Sequence, residues 1–441
     1  MIFLALFYAI IFWVVASKRP LYALIIVWSL APFQNDLGAG AIKFSLTEIN
    51  LLLLIPLLMT RLHTSRRAFN LGPLAWPIGA FLVVSLLSTL FHWRGNVAVV
   101  SMLQMVLYTV FTVQIFATLV SADELRRVPA TIIATGAFWS VVGIATNFFI
   151  FSLRKNAFGA SLAAAALVAF DCLLYEPKGK RRNWIIAGGL VILAGLVLSL
   201  SRGSWLGFIG GLLMIVILRR AGGVLMRVCL AVLPILFICW NLLPKEQQEY
   251  AFSFDPAREN IRLRYQSLER AQKDFAADPV LGTGVGLRKQ YDATNLLWTT
   301  LAETGLLGAI TFIWMFVAFY RLVWQTRSKI KMNDPCFSLL TVGAALMTCK
   351  LLHGMVDHYW TRGSITLAWG GVGMVLVASR LPAERALQAA RAKTAQRTAA
   401  RQKPPTANPT AGIPIHAYAP VTRLTSAFAW EGDSATENRL S

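Results

Sequence analysis

The chain carries little charge and lacks the sequence motifs of soluble catalysis. Only 14% of its 441 residues are Asp, Glu, Lys or Arg, whereas 56% are hydrophobic and the mean hydropathy is +0.58. This composition excludes an ordinary soluble globular domain. No GxxxxGK[ST], HExxH, CxxC or GxSxG motif is present, and the GTGVG at 282–286 has no βαβ pattern around it. The five cysteines lie in or beside apolar runs, so we expect no disulfide framework, no metal site and no cofactor.

What the chain has in abundance is apolar runs, most of them near the roughly 20 residues that a membrane-spanning helix needs. The first, Met1 to Ala16, has no basic residue before it and no small-residue cleavage pattern, so we interpret it as a retained span. The predicted fold class is an all-α, polytopic transmembrane helix bundle of about 12–13 spans. The runs lie at about 1–17, 20–33, 44–61, 73–93, 96–120, 128–152, 155–175, 183–200, 204–218, 222–243, 296–320, 336–356 and 363–380.

Basic residues are concentrated in alternate connections between these runs, which predicts the orientation of the chain. One set, with clusters such as Lys18-Arg19 and Arg219-Arg220, is expected in the cytoplasm together with the tail from Arg380. This placement accounts for most of the net charge of +21, so no nucleic-acid partner is expected. The other set is expected on the periplasmic side of a bacterial inner membrane: 34–43, 92–96, 152–155, 201–203, 244–295 and 357–362.

The longest connection, residues 244–295, has eight basic and eight acidic residues and therefore no net charge. Within it, residues 257–275 lack Gly and Pro and space Ile261, Tyr265, Leu268 and Phe275 as on one face of a helix. A turn-rich stretch, PVLGTGVGLRKQ, follows and is expected to lead the chain back to the membrane.

The predicted organisation has three parts. Residues 1–182 form N-terminal transmembrane helices, residues 183–380 form a membrane core that includes the loop 244–295, and residues 381–441 form a basic cytoplasmic tail. The tail begins with an Ala/Arg-rich stretch that favours a helix on the anionic inner leaflet. Its Pro/Thr/Ala-rich remainder is predicted to be disordered.

Three polar clusters fall on the predicted external face. They are Ser201-Arg202-Gly203 between two apolar runs, the loop arginines, and Asp357-His358 with Arg362. An arginine-lined pocket with apolar walls suits a diphosphate, because guanidinium groups bind phosphate oxygens in pairs and stay charged at physiological pH.

Each cluster also has a simpler interpretation. Arg202 fits a helix-end arginine that reaches to the membrane interface, and the loop arginines fit a solvated face paired with neighbouring acids. An aromatic belt explains Tyr359 and Trp360 but not the adjacent acid and histidine. Lys350 and His353, within an apolar run, rank below these external clusters.

Three motifs in order, LSLSRGSWLG (198–207), DFAADPVLGTGVG (274–286) and TNLLWTTLAETGLLG (294–308), resemble the O-antigen ligase and polymerase family of bacterial envelope polysaccharide enzymes. The resemblance covers about residues 183–380. It implies a metal-independent, inverting glycosyltransferase that takes a glycan from an undecaprenyl-diphosphate carrier at the periplasmic face. The acceptor is another glycan in polymerases, a lipid A core in ligases, or a protein.

The resemblance also implies roles for individual residues. Arg202 and a loop arginine matching Arg262 or Arg264 would hold the diphosphate and stabilise its growing charge. Arg288 is a further candidate for diphosphate binding, and Ser201, Gly203 and Asn295 are other positions of the family motifs. A flippase and a chain-length regulator are possible protein partners.

One position departs from the family pattern. Ligases commonly carry a histidine before the asparagine that precedes the returning helix, and this chain has Thr294 before Asn295. Because a threonine is no general base at neutral pH, either His358, Asp357 or Glu303 takes that role or activation of the leaving group suffices. The departure favours a polymerase over a core ligase.

Two other classes stay open as alternatives. A flippase or other transporter usually places ionisable residues near the bilayer midplane, where Lys350 and Asp171 are the main candidates. A non-catalytic assembly component is the third possibility.

Overall fold

The computed structural model describes residues 2–33, 37–39, 42–65, 69–148, 155–241, 243–252, 258–287, 291, 294–334, 336–357 and 363–402. Helices make up nearly all of this part of the chain. Those of the N-terminal half are α1 (Ile2–Lys18), α2 (Pro20–Ser29), α3 (Leu46–Thr64), α4 (Ala75–Phe91), α5 (Asn96–Val106), α6 (Val113–Thr118), α7 (Ala122–Leu125), α8 (Val128–Ala145) and α9 (Lys155–Tyr175). The remainder are α10 (Lys180–Leu198), α11 (Arg202–Arg219), α12 (Gly222–Asn241), α13 (Lys245–Phe252), α14 (Glu259–Ala277), α15 (Leu296–Arg327), α16 (Phe337–Gly354) and α17 (Ile365–Gln402).

Short elements complete the secondary structure. A 3₁₀ turn, Gly72–Leu74, precedes α4, and a π-helical segment, Leu107–Thr112, joins α5 to α6. Strands β1 (Leu37–Ala39) and β2 (Ile42–Phe44) form a small antiparallel hairpin in which Gly38 faces Lys43. The sequence did not predict this hairpin.

The predicted all-α, multi-pass architecture is confirmed. Among the described residues, ten helical segments are long and apolar enough to cross a membrane, and α1 and α2 supply two shorter apolar helices. Each predicted apolar run overlaps one of these segments or, at 222–243, helix α12. The run at 96–120 is a continuous helical segment through α5, the π-helical segment and α6.

Helix α11 packs closely on α16 through glycines that recur every four residues. A side chain added at Gly207 would place its Cβ 2.5 Å from the carbonyl oxygen of Cys349, and one at Gly211 would lie 2.9 Å from that of Ala345. Small residues at this spacing let two membrane helices approach until their backbones touch. The glycines therefore fix the position of Arg202, which begins α11, relative to α16.

Helix α15 is interrupted at Gly305, whose φ of 63° and ψ of −163° are not helical. The preceding loop hydrogen-bonds to this interruption. The N–H of Thr283 donates to the carbonyl of Ala302 at 2.8 Å, and the N–H of Leu306 donates to the carbonyl of Pro279 at 2.8 Å. The turn-rich stretch is thus a loop anchored along the kinked first part of α15.

The helix predicted within the long loop is confirmed as α14, Glu259–Ala277, but one member of its predicted packed face is wrong. Tyr265 is 57% exposed, whereas Ile261 and Ala271 are buried. Arg264 is partly buried on the same stripe as Ile261 and Ala271. The packed stripe therefore includes an arginine in place of the tyrosine.

The helix predicted at the start of the tail is the C-terminal part of α17, which extends from the last spanning segment to Gln402. The described chain divides into one unit ending at Arg385 and a second beginning at Ala386. The side chains of residues 386–395 are exposed. The Pro/Thr/Ala-rich remainder of the tail lies outside the described residues.

Candidate functional site

The first turn of α11 carries the motif Ser201-Arg202-Gly203. Leu200 adopts a left-handed conformation with φ of 53°, and the helix begins at Arg202. Ser201 is buried, and its hydroxyl lies 2.8 Å from that of Ser204. A Cβ at Gly203 would lie 2.6 Å from the ring of His353 and 3.2 Å from the side chain of Val356. The turn that carries Arg202 therefore packs directly against the C-terminal end of α16.

Asp357 follows the end of α16 and is 3% exposed. Its Oδ2 accepts hydrogen bonds from the Nδ2 of Asn156 at 2.8 Å and from the guanidinium of Arg264 at 3.1 Å. A second guanidinium nitrogen of Arg264 donates to the carbonyl of Val356 at 2.9 Å. Since two guanidinium nitrogens are held at two acceptors, the side chain of Arg264 has a defined orientation.

The start of α15 reaches the same place. Asn295 caps α15 by accepting a hydrogen bond from the N–H of Trp298 at 3.1 Å, and its Nδ2 donates to the carbonyl of Met355 at 2.9 Å. The starts of α9, α11 and α15 and the loop helix α14 thus all contact residues 353–357, at the C-terminal end of α16. We call this meeting point the arginine junction and define it as Asn156, Arg202, Gly203, Arg264, Asn295 and residues 353–357.

The arginine junction joins connections that loop charge assigns to one face of the membrane. Contacts also join the connection 92–96 to the loop 244–295: the Nε of Arg94 donates to the carbonyl of Thr283 at 2.7 Å, and His92 lies 3.4 Å from Asp278. At the opposite end of α11, Arg327 donates to the carbonyl of Leu218 at 2.9 Å. The predicted grouping of the connections into two ends of the bundle agrees with these contacts.

Lys350 and His353 lie three residues apart on one face of α16, and the N–H of Asp357, just beyond the helix, donates to the carbonyl of His353 at 3.0 Å. Lys350 is 5% exposed and donates to the hydroxyl of Ser364 at 2.7 Å. His353 is 1% exposed and packs on Gly203. His353, which the sequence placed below the external clusters, is therefore a member of the arginine junction, and Lys350 lies one turn before it on α16.

Of the two loop arginines offered by the sequence, Arg264 is the one that the structure brings into the junction. Arg262 is exposed. Residues two positions apart on a helix are separated by about 200°, so the two side chains leave α14 on opposite faces. Arg288, His358 and Arg362, the remaining candidates from the external clusters, lie outside the described residues.

Glu303 is buried beneath the loop that precedes α15. Its carboxylate accepts a hydrogen bond from the N–H of Gly286 at 3.1 Å, and its carbonyl accepts hydrogen bonds from the N–H of Gly284 and the hydroxyl of Ser88. These contacts give Glu303 a part in anchoring the loop. Thr294 has a left-handed φ of 53° immediately before the cap residue Asn295.

Two further contributors were missed from the sequence. Asn156 had no signal beyond being polar near the start of an apolar run. The glycines at 207 and 211 did have one, since with Gly203 they repeat every four positions, a spacing of small residues typical of close helix packing in membranes. Among the residues that the structure describes, no group of three or more His, Cys, Asp or Glu is placed to hold a metal ion.

The fold and the junction together define a multi-pass, all-helical membrane protein with a built polar site at one end of its bundle. No protein-family model matches the sequence. No curated protein matches it either.

Proposed function

We propose that this protein is a glycosyltransferase of the bacterial inner membrane that moves a glycan from an undecaprenyl-diphosphate carrier onto another glycan, as a surface polysaccharide polymerase does. The observation that carries the proposal is that Val356 contacts both arginine-bearing segments. Gly203, next to Arg202, packs on its side chain, and Arg264 donates to its carbonyl. Arginines carried by two separate elements that meet at one residue would suit the two phosphates of such a carrier.

The proposed reaction breaks the bond between the anomeric carbon of the donor sugar and the diphosphate oxygen. The acceptor hydroxyl oxygen bonds to that carbon with inversion, its proton leaves, and the diphosphate departs with the bonding electrons. Negative charge grows on the leaving oxygen during this step. Arg202 and Arg264 would stabilise that charge, and the N-terminus of α11 adds a favourable helix dipole.

Asp357 fits a positioning role better than that of a general base. Its Oδ2 already accepts hydrogen bonds from Arg264 and Asn156, and the side chain is almost fully buried. Glu303, another candidate base, is engaged with the N–H of Gly286 beneath the loop. We therefore propose that activation of the leaving group supplies most of the catalysis and that Asp357 holds Arg264 in place.

The acceptor class is proposed from Thr294. It stands where ligases of the resembling family carry a histidine, and it lies directly before the residue that binds the end of α16. Lacking a base there, the protein fits a polymerase better than a lipid A core ligase or a protein O-oligosaccharyltransferase. Protein partners such as a flippase and a chain-length regulator belong to the same proposal.

A transporter is less well supported. Of its two ionisable candidates, Asp171 forms a two-pronged pair with Arg219 at 2.6 and 2.9 Å and also accepts a hydrogen bond from Thr341. This cluster lies at the end of α11 opposite Arg202. A buried, fully paired carboxylate at a helix end fits a structural role.

The test is an assay of purified protein in lipid with a lipid-linked repeat unit from the source cell. Arg202→Ala and Arg264→Ala should lower the rate of glycan extension about 100-fold, the usual cost of removing one charge-stabilising donor. Arg202→Lys should also be slow, because an ammonium group does not bind two oxygens side by side. The control is Lys273→Ala, on the exposed side of α14, which should be as active as wild type.

The outcomes separate the candidate functions. A longer glycan indicates a polymerase, and transfer to a lipid A core or a protein indicates a ligase or O-oligosaccharyltransferase. Movement of the lipid-linked unit across the bilayer without transfer would indicate a transporter. Full activity of folded Arg202→Ala and Arg264→Ala proteins would refute the proposed role of the junction.

A further inference from the structure

A group of aromatic and charged side chains lies beyond the arginine junction, where α14 packs against the start of α15. The rings of Phe275 and Trp298 meet edge to face, with centroids 6.2 Å apart. The guanidinium of Arg270 lies over the ring of Tyr291, 4.3 Å from its centroid, and the Tyr291 hydroxyl bonds to Asp274. We call these five residues the aromatic patch.

The aromatic patch is partly open to solvent. Trp298, Tyr291, Phe275 and Asp274 are all partly exposed, and Arg270 is exposed. Within the part of the chain that the structure describes, a small core of Ala271, Leu287 and Ala302 lies beneath Tyr291 and Trp298. Large aromatic side chains that stay partly exposed beside a charged rim are typical of binding surfaces.

The chemistry of the aromatic patch matches a carbohydrate. A sugar ring has an apolar C–H face that stacks on an aromatic ring, and a rim of hydroxyls that bonds to carboxylate and guanidinium groups. Burial, together with the neighbouring Asp274, raises the pKa of the Tyr291 hydroxyl, so this group keeps its proton and donates it to Asp274, while Arg270 supplies the donors for a sugar. The patch therefore offers stacking faces, donors and an acceptor at one place.

The aromatic patch lies along α14 from the arginine junction. Arg264 and Phe275 lie eleven residues apart on the packed stripe of α14, a separation of about 16 Å along the helix. Trp298 lies one turn after Asn295, which bonds to Met355 of the junction. A glycan whose diphosphate end is held at Arg264 would run along α14 and reach the patch after a few sugars.

We infer that the aromatic patch, with Trp298 at its centre, is a binding subsite for sugar residues of the glycan chain. This inference rests on the proposed function for the identity of the chain. It adds a site at which the protein contacts sugars rather than phosphates.

The test measures binding of free oligosaccharides, obtained by hydrolysis of the source cell's own surface polysaccharide, to the protein in lipid nanodiscs by calorimetry. Trp298→Ala should weaken binding about tenfold, as expected for the loss of one stacked ring. Asp274→Asn should weaken it less. The matched control is Trp314→Phe, a change at an exposed ring further along the same helix, which should leave binding unchanged.

Arg264→Ala separates this inference from the proposed function. Free oligosaccharides lack the diphosphate, so this variant should bind them like wild type while losing transfer. Binding that depends on Trp298 in a protein with no transferase activity would support the subsite and overturn the proposed reaction. Equal binding by Trp298→Ala and wild type, or no binding by wild type, would overturn the subsite. Thermal unfolding of each variant shows whether a loss of binding is only a loss of folding.

Discussion

The hydrogen-bonded pair of Arg264 and Asp357 should be measurable as a coupling energy. The perturbations are Arg264→Ala, Asp357→Asn and the double variant. In a double-mutant cycle, the energy in excess of the two single effects reports the pair itself, and residues in one network usually show 0.5–3 kcal/mol.

The burial of the two side chains narrows the expected coupling energy. Asp357 is 3% exposed, and breaking a fully buried pair by removing one partner costs about 3–5 kcal/mol. The side chain of Arg264 is 35% exposed, however, so water screens it, and exposed pairs give only about 0.2–1 kcal/mol. Asn156 still donates to Asp357 after Arg264 is removed. We therefore expect a coupling of about 1–2 kcal/mol, between the two limits.

The assay is reversible unfolding in mixed detergent micelles, with two reference cycles in the same protein. Lys273 and Glu269, on the same helix, are 74% and 63% exposed and should couple by less than about 0.5 kcal/mol. Arg219 and Asp171 are 7% and 0% exposed and should couple most strongly. A coupling of Arg264 with Asp357 no larger than that of Lys273 with Glu269 would refute the view that Asp357 holds this arginine in place.

Two further predictions concern packing and pH. Gly207→Ala should destabilise the protein by about 1–3 kcal/mol, because the added Cβ would lie 2.5 Å from the Cys349 carbonyl. The control Gly79→Ala, whose Cβ meets nothing within 4 Å, should leave the stability unchanged. Equal unfolding curves for the two variants would contradict the close packing of α11 on α16. The Arg385 guanidinium, with help from the Cys336 N–H, holds the pKa of the Asp334 carboxyl below its usual value, so this group stabilises the fold above about pH 4 and the contribution is lost as the pH falls through the lower folded-state pKa. Asp334→Asn should then cost about 0.5–1 kcal/mol at pH 7 and progressively less below pH 4, whereas Asp123→Asn, 84% exposed, should cost little at either pH; a pH-independent loss would show that the charge is not the cause.

Much of the fold was predictable because membrane-spanning helices are read from the length of apolar runs. The interruption at Ser201-Arg202-Gly203 marks the break between α10 and α11, and the charged, Gly-free stretch of the long loop forms α14. The distribution of basic residues also assigned to one face the connections that contact one another in the structure. These signals are local, or follow from the alternation of the chain across the membrane.

The rotation of α14 was not predictable by the same means. Its packed stripe includes Arg264 because a buried acid 93 residues further along the chain faces that position. An argument from apolar periodicity prefers a tyrosine to an arginine on a packed stripe, and therefore selects Tyr265. Asn156 was missed for the same reason, since its partner Asp357 is 201 residues away. Long-range polar pairs leave no periodic trace in a single sequence.

The positions of the buried charged groups bear on whether the protein transfers a glycan or transports a substrate. Glu48 lies in the first turn of α3, where it forms a capping box with Ser45 and accepts a hydrogen bond from Gln104 at 2.8 Å. Asp171 lies in the last turns of α9, Lys350 lies in the last turns of α16, and Asp357 follows the end of α16. Transporters hold their substrates at broken helices near the bilayer midplane, whereas these four groups stand at helix ends. The buried Glu303 does lie beside the interruption of α15 at Gly305, but its carboxylate is hydrogen-bonded to the loop N–H of Gly286. At the end of α16, the loop helix α14 places Arg264 against the buried Asp357. This arrangement supports the proposal of transfer from a substrate whose charged group would stay at the membrane surface, as the diphosphate of a lipid-linked glycan would.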